Sequence, residues 1–228
     1  MADFTFAHRK EGFDAHIDAS IRHYSSLHDD IVAMSRYFVE NDTSVVDIGC
    51  STGKTLGAMI DQNKESAPNA QYHGVENADG FAEDMKSREE EYIDSNLSLH
   101  FQDVRNFIFP VDSSFITSIF TLQFIPKRDR QSILDSIYDS LLPGGAFVFS
   151  EKTYASSPEL EQILTFLFYD HKRKEFSCED IMDKEYTLRS MLKPMHWDDL
   201  LSMMYEAGFQ EVQPFWRNHL FVGAIAIK

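Results

Sequence analysis

The stretch Val45-Val46-Asp47-Ile48-Gly49-Cys50-Ser51-Thr52-Gly53, with Glu76 ending the next apolar run, has the residue types and spacing of a nucleoside site. The β-branched pair drives a buried strand, and Gly49 and Gly53 let the backbone turn sharply at its end. The helix that follows points its free amide groups back at whatever is bound there. An acidic residue roughly 20 to 30 positions downstream then suits a ribose diol, because a carboxylate can accept both hydroxyl protons. The plain alternative is a glycine turn between strand and helix, with Glu76 merely solvated.

Three chemistries share this outline. A nucleotide P-loop needs four residues between its glycines, and three stand between Gly49 and Gly53, so the phosphate cradle does not close even with Lys54 and Thr55 in place. A dinucleotide fingerprint needs a second glycine where Ser51 sits and a third that is absent. What remains is the S-adenosylmethionine loop of class I methyltransferases, which the segment resembles, including an acid, here Asp47, two residues before the first glycine. On that reading Gly49, Cys50 and Ser51 approach the ligand closely, and the amides opening the next helix receive the methionine carboxylate. Glu76, with Asn77 beside it, holds the ribose. Asp103 accepts from the adenine amino group, and the Val104 amide serves a ring nitrogen. An Asp at a strand end is also a common turn or helix cap.

The elements that must position these residues follow from pattern and punctuation. Residues 10 to 28 are helix-prone but irregular, and Asp29 to Val39 carries apolar residues at helical spacing, placed to pack over the first strand's carboxyl end. Strands are expected at about 44–48, 71–76, Leu97 to Val104, 114–120 and Ala146 to Ser150. Helices are expected at about 53–63, Ala78 to Ile93 and Lys127 to Leu142, with a turn at Pro143-Gly144-Gly145. This alternation makes a Rossmann-like, mostly parallel, doubly wound α/β sheet. A helix at about 196–206 ends at Gly208, and Phe209 to Arg217 and His219 to Ile227 form a terminal antiparallel hairpin, as in class I methyltransferases. The whole chain, 1–228, reads as one domain, with 1–40 as a helical cover and 153–195 as a helical insertion. Ligands sit at the carboxyl ends of parallel strands, so that insertion is placed to roof a substrate pocket.

Composition bounds the function. Of 228 residues, 43% are hydrophobic and 19 are Phe, enough for a core without disulfides or metal. A net charge of −16 repels a phosphate backbone, so direct nucleic-acid binding is not expected and a small-molecule substrate is. Lys172-Arg173-Lys174, beside Glu175, reads as a solvated helix end more readily than as a basic patch. Cys50 and Cys178 are the only cysteines, and no leading apolar segment precedes them, which points to a reducing cytoplasm. No run of about 18 apolar residues crosses a membrane. The nine His show no metal-ligand spacing, so no metal is expected.

A more particular resemblance runs through nearly the whole chain. Tyr24-Ser25, Gly49-Cys50-Ser51, Phe120-Thr121-Leu122-Gln123-Phe124, Pro143-Gly144-Gly145, Ser150-Glu151-Lys152, Asp170-His171-Lys172-Arg173 and Leu188-Arg189-Ser190-Met191-Leu192 resemble the bacterial carboxy-S-adenosylmethionine synthase family. The resemblance implies a dimeric enzyme in which prephenate yields phenylpyruvate while its carbon dioxide ends on the sulfonium methyl of S-adenosylmethionine. The product, carboxy-S-adenosylmethionine, feeds wobble-uridine modification of transfer RNA. The sulfonium acidifies its methyl protons, and the carbanion formed as the substrate aromatises is a candidate base. The pocket must then supply positioning, exclusion of water and a cation. The family's carboxylate-binding arginine corresponds to Arg189 and its cofactor-contacting tyrosine to Tyr24. A guanidinium offers two parallel donors and stays charged when buried, although Arg189 could also be an exposed arginine paired with Glu185.

Two departures from the family pattern bear on the substrate. Ile119 stands where the family has a cofactor-contacting asparagine, and Thr52-Gly53-Lys54-Thr55 replaces small apolar residues. Lys54 could reach a substrate carboxylate, or be solvated in the first helical turn. An ordinary methyltransferase acting on a small or tRNA-linked acceptor, and a non-catalytic binding relative, are therefore the competing readings.

Overall fold

The computed structural model describes residues 12–228, so the first eleven residues of the expected N-terminal cover lie outside it. The described residues begin with two helices, α1 (Phe13–Ser20) and α2 (Tyr24–Ser35). The alternating part follows: β1 (Ser44–Ile48), α3 (Lys54–Asn63), β2 (Gln71–Glu76), α4 (Ala82–Glu91), β3 (Leu97–Phe101), β4 (Ser113–Ile119), α5 (Lys127–Ser140) and β5 (Leu141–Tyr154). Then come α6 (Pro158–Lys172), α7 (Cys178–Met191), the short β6 (Met195–His196), α8 (Trp197–Ala207), β7 (Glu211–Asn218) and β8 (Phe221–Ile227).

The sheet order is β3-β2-β1-β4-β5-β8-β7, with β6 paired to the end of β5. β1 through β5 run parallel; β8 lies antiparallel between β5 and β7. The chain order reverses between β1 and β4, which opens a crevice at their carboxyl ends where such sheets bind ligands. Every residue of β1 is buried, as expected of a central parallel strand covered on both faces. One face carries Val45, Phe115 and Val148 against Leu27, Ile31, Leu56 and Met59. The other carries Val46, Ile116, Phe147 and Phe149 against Leu134, Ile137, Met204 and Phe209.

The differences from the sequence reading have local causes. α2 begins five residues before Asp29 and stops at Ser35, whose hydroxyl donates to Val32 O. The acidic helix is split, because Asp79–Phe81 forms a 3₁₀ turn that buries Phe81 before α4 starts. β3 ends at Phe101, and Val104–Asn106 is a 3₁₀ turn capped by Asp103. Pro143-Gly144-Gly145 lies inside the long β5, where the β4 pairing shifts register between Ser113 and Phe115 and Gly144 takes φ 83°. It is a bulge at the strand's start, not a separate turn.

Candidate active site

The loop after β1 is held by its own backbone. Gly49 has φ 73°, and a Cβ there would stand 2.1 Å from Thr121 Oγ1, so glycine is required by conformation and by the residue in the turn after β4 alike. The amides of Gly49 and Cys50 donate to Val75 O at 2.7 and 3.2 Å. Glu76, 8% exposed, accepts from the Ser51 amide at 3.1 Å on Oε2, and from the amides of Asn77 and Ala78, both at 2.8 Å, on Oε1. Burial raises its carboxyl pKa, and the three amides pull it back. An ionised carboxylate has about four acceptor positions, so three internal bonds leave room for roughly one further donor. Thr52 Oγ1 donates to the Asp14 carboxylate at 3.2 Å, which ties the loop to α1.

Behind the loop, Asp47 is 2% exposed and accepts from Thr117 Oγ1 at 2.7 Å. Burial pushes its carboxyl up to about 7, opposed by the Thr117 bond and assisted by the nearby Glu76. At the β3 end, Asp103 is engaged by Arg105, whose backbone N and Nε donate to Oδ1 at 2.9 and 3.0 Å and whose Nη2 donates to Oδ2 at 2.6 Å. Those bonds hold the Asp103 carboxyl below its ordinary range. Asp129 takes the remaining Arg105 edge at 3.1 Å. Asp103 is thus a cap and an ion-pair partner first, and an adenine amino group would have to share it.

A cavity of about 320 Å³ spans the carboxyl ends of the sheet. Over β1, β2 and β3 it is lined by Gly49, Ser51, Glu76, Asn77, Asp103, Val104 and Arg105. Over β4, β5 and the start of β8 it is lined by Ile119, Phe120, Gln123, Lys152, Phe168, Lys172 and Phe221. Phe120 holds φ 55°, an uncommon conformation for a bulky residue, with its amide donating to Ser150 O at 2.8 Å. Its ring meets Phe221 edge-on at 5.5 Å, and Phe221 meets Phe168 at 5.3 Å. α7 contributes Lys184, Glu185, Leu188 and Leu192.

Seven of the expected cofactor residues therefore line one cavity: Gly49, Ser51, Glu76, Asn77, Asp103, Val104 and Ile119. Three do not. Tyr24 is buried one layer back, its ring 6.3 Å from Phe120, and burial with nearby acids raises its hydroxyl pKa. Cys50 turns its thiol into the core, where a Cβ on Gly74 would stand 2.8 Å from the sulfur. Arg189 is exposed, because the cavity-facing stripe of α7 runs through Leu188 and leaves its successor about 100° further round the helix. It stays close enough to the Tyr169 and Glu185 pair to influence the tyrosine's ionisation. Lys54 is also exposed, the solvated alternative of the sequence reading.

The sequence reading missed other groups. Lys172, placed with Arg173 and Lys174 in a solvated helix end, is 4% exposed and lines the cavity. Arg130 is 2% exposed and donates to three backbone oxygens: Ile125 at 2.9 Å, Gln123 at 3.3 Å and Lys193 at 2.6 Å. It thereby ties the end of the α6–α7 segment to the turn after β4. Its buried neighbour Glu151 is pushed up to about 8 by burial, with Arg130 and the Leu122 and Gln123 amides pulling back. Only the Phe-Thr-Leu-Gln-Phe and Ser-Glu-Lys strings pointed here.

Residues 45–145 match the methyltransferase domain family. A carboxy-S-adenosyl-L-methionine synthase of Staphylococcus epidermidis is 31% identical over 217 residues, covering 95% of this chain and 92% of that protein. The chain belongs to the carboxy-S-adenosyl-L-methionine synthase family. The Actinobacillus succinogenes synthase is likewise 31% identical, over 100% of this chain and 95% of its own length. Among solved structures, phosphoethanolamine N-methyltransferase 2 of Haemonchus contortus, in complex with S-adenosyl-L-methionine, superposes with a TM-score of 0.60 at 14% identity, over 98% of this chain and 59% of that one. That likeness concerns the fold, the class I methyltransferase fold expected from the sequence. As a member of the synthase family the protein is an S-adenosylmethionine-utilising enzyme. Among the described residues no helix is long and apolar enough to cross a membrane.

Proposed function

We propose that this protein makes carboxy-S-adenosylmethionine from S-adenosylmethionine and prephenate. The observation that carries the reading is the two-part cavity, continuous from Glu76 at the end of β2 to Lys152 near the end of β5 and Phe168 of α6. The adenosyl ligand takes the part over β1 to β3, with one ribose hydroxyl donating to the remaining acceptor position of Glu76. Asn77, Asp103 and Val104 surround the base, and Ile119 lies beside the sulfonium. Bound there, S-adenosylmethionine supplies an acidified methyl group.

The second substrate takes the part over β4, β5 and β8. Prephenate loses its ring carboxyl and its ring hydroxyl as it aromatises, and the carboxyl carbon bonds to the methyl carbon. The methyl proton leaves with the expelled hydroxide as water, beside phenylpyruvate. The electron pair of the broken bond enters the ring, so the expelled hydroxide is the base, not the carbanion of the sequence reading. No protein base is then required. The side chains position the partners and exclude water, tasks suited to Phe120, Phe168 and Phe221.

The test is to incubate the protein with S-adenosylmethionine, with and without prephenate, and to weigh the nucleoside products. A prephenate-dependent gain of one carboxyl group is expected. Its absence, with methyl transfer to another acceptor, would establish the second reading, an ordinary methyltransferase, which Ile119 favours by removing a polar contact of the family pattern. In the cell the product would serve wobble-uridine modification of transfer RNA in the cytoplasm. At a net charge of −16 the protein itself would leave RNA unbound. We further propose one domain, with α1 and α2 as cover, α6 and α7 as roof and the exposed Leu160, Ile163, Phe166 and Leu167 of α6 as a homodimer face. A monomer in sedimentation equilibrium would remove that last element.

A further inference from the structure

The geometry points to Lys152 and Lys172, gathered on the ring of Phe168, as the subsite that receives the carboxylate of the second substrate, an acid with a flat apolar body. This rests on the two-ligand reading of the cavity. Lys152 Nζ lies 5.7 Å from the Phe168 centroid and 6.0 Å from that of Phe221. Lys172 Nζ lies 5.2 Å from the same Phe168 centroid. The first lysine comes from the carboxyl end of β5 and the second from the last turn of α6, so strand and roof each supply one ammonium.

Charge and shape support the assignment. Among the described residues, the charged groups lining this half are Lys152, Lys172, Lys184 and Glu185. Glu185 lies near the Tyr169 hydroxyl and helps burial raise its pKa. The acids of the other half, Glu76 and Asp103, are occupied by backbone amides and by Arg105. Phe120, Phe168 and Phe221 line the same space and present ring faces and edges to a planar guest. A carboxylate entering here meets two ammonium groups in an aromatic, water-poor setting, where charge-assisted hydrogen bonds are strongest. Position is fixed as well: Gln123 Oε1 accepts from the Lys152 backbone N at 2.8 Å, while Gln123 Nε2 donates to Phe120 O at 3.1 Å. Gln123 thus locks the backbone of the lysine to that of the strained phenylalanine. The exposed Arg189 is not needed for this step.

The experiment compares Lys152→Met, Lys172→Met and Lys152→Arg with the wild type. Calorimetry reads S-adenosylhomocysteine affinity, and then binding of phenylpyruvate and of phenylacetone, its analogue without the carboxylate, to the loaded protein. The wild type is expected to prefer phenylpyruvate, and each Met variant to lose that preference by roughly 10- to 100-fold. S-adenosylhomocysteine affinity should stay within about 2-fold, which also reports folding, and Lys152→Arg should recover most of the loss. The KM for prephenate should rise in parallel, with the KM for S-adenosylmethionine unchanged. Equal binding of acid and ketone by the wild type, or Met variants that keep the preference, would overturn the subsite. If carboxy-S-adenosylmethionine forms while Lys152→Met keeps the wild-type KM for prephenate, the synthase reading stands and the subsite falls. If lysine-dependent acid binding occurs without that product, the subsite stands and the synthase reading falls.

Discussion

The two halves of the cavity are built by different means. The half over β1 to β3 is made of backbone: amides from the β1 loop and the turn after β2 converge on one carboxylate, Glu76, and glycine at 49 is demanded by its positive φ and by Thr121 in the turn after β4. The half over β4, β5 and β8 is made of side chains delivered by distant elements, among them Phe120, Lys152, Phe168, Lys172 and Phe221, under a roof whose end is pinned by Arg130. A backbone-built half keeps one ligand through wide sequence change. A side-chain-built half can be re-specified one residue at a time, so a family can keep its cofactor while its chemistry diverges.

The largest test of this contrast is Arg130→Met. It leaves the carbonyls of Ile125, Gln123 and Lys193 short of a donor and Glu151 without its cation, and should cost roughly 3–5 kcal/mol in urea unfolding. Residual folded protein should lose acid binding before S-adenosylmethionine binding. Glu76→Gln should do the reverse. Its amide would turn a donor toward at least one of three backbone N–H groups, weakening S-adenosylmethionine by roughly 10- to 100-fold in calorimetry and sparing the acid's own subsite. Gly49→Ala should destabilise by about 1–3 kcal/mol, through its positive φ and the contact with Thr121, with S-adenosylmethionine affinity falling too.

A separate test concerns pH. Folding raises Asp47 from 3.8 to about 7 and Glu151 from 4.5 to about 8. A group whose folded value is raised contributes stability that is complete below its unfolded value and lost as pH rises through the folded one. The thermal midpoint should therefore fall between pH 4 and 8. Asp47→Asn keeps an acceptor for Thr117 and should flatten the lower part of that slope; an unchanged slope would mean that Asp47 does not titrate there.

The same contrast explains what was legible in the sequence. The β1 loop is a backbone device, and backbone devices leave local marks: β-branched runs, glycines at fixed spacing, an acid at a strand end. Its strand, loop and Glu76 were readable from neighbouring residues. The terminal strands were readable as two runs with a tight link after the helix stop at Gly208, although β8 inserts beside β5 and β7 lies outside it. Lys172 was misread because a basic triplet after an apolar helix looks solvated, and only the α6 docking shows that its first member turns inward. Arg130 lies in a polar-looking stretch, Lys127-Arg128-Asp129-Arg130, and its burial depends on three carbonyls from elsewhere in the chain. Arg189 was carried over from a motif, and a motif does not state a side chain's angle about its helix.

Ser150-Glu151-Lys152 places an acid and a base on adjacent residues of a strand paired on both sides, Ser150 with Ile119 of β4 and Lys152 with Phe221 of β8. Strand alternation sends Glu151 toward Arg130 and Lys152 toward Phe168, so the polarity of the chamber floor is set by hydrogen-bond register. A one-residue deletion upstream, around the Gly144 bulge, that slid β5 along its neighbours would leave the composition almost intact and exchange the two charges. The chamber would then present a carboxylate to an acidic guest, and the affinity for anions would invert without any active-site residue having been mutated.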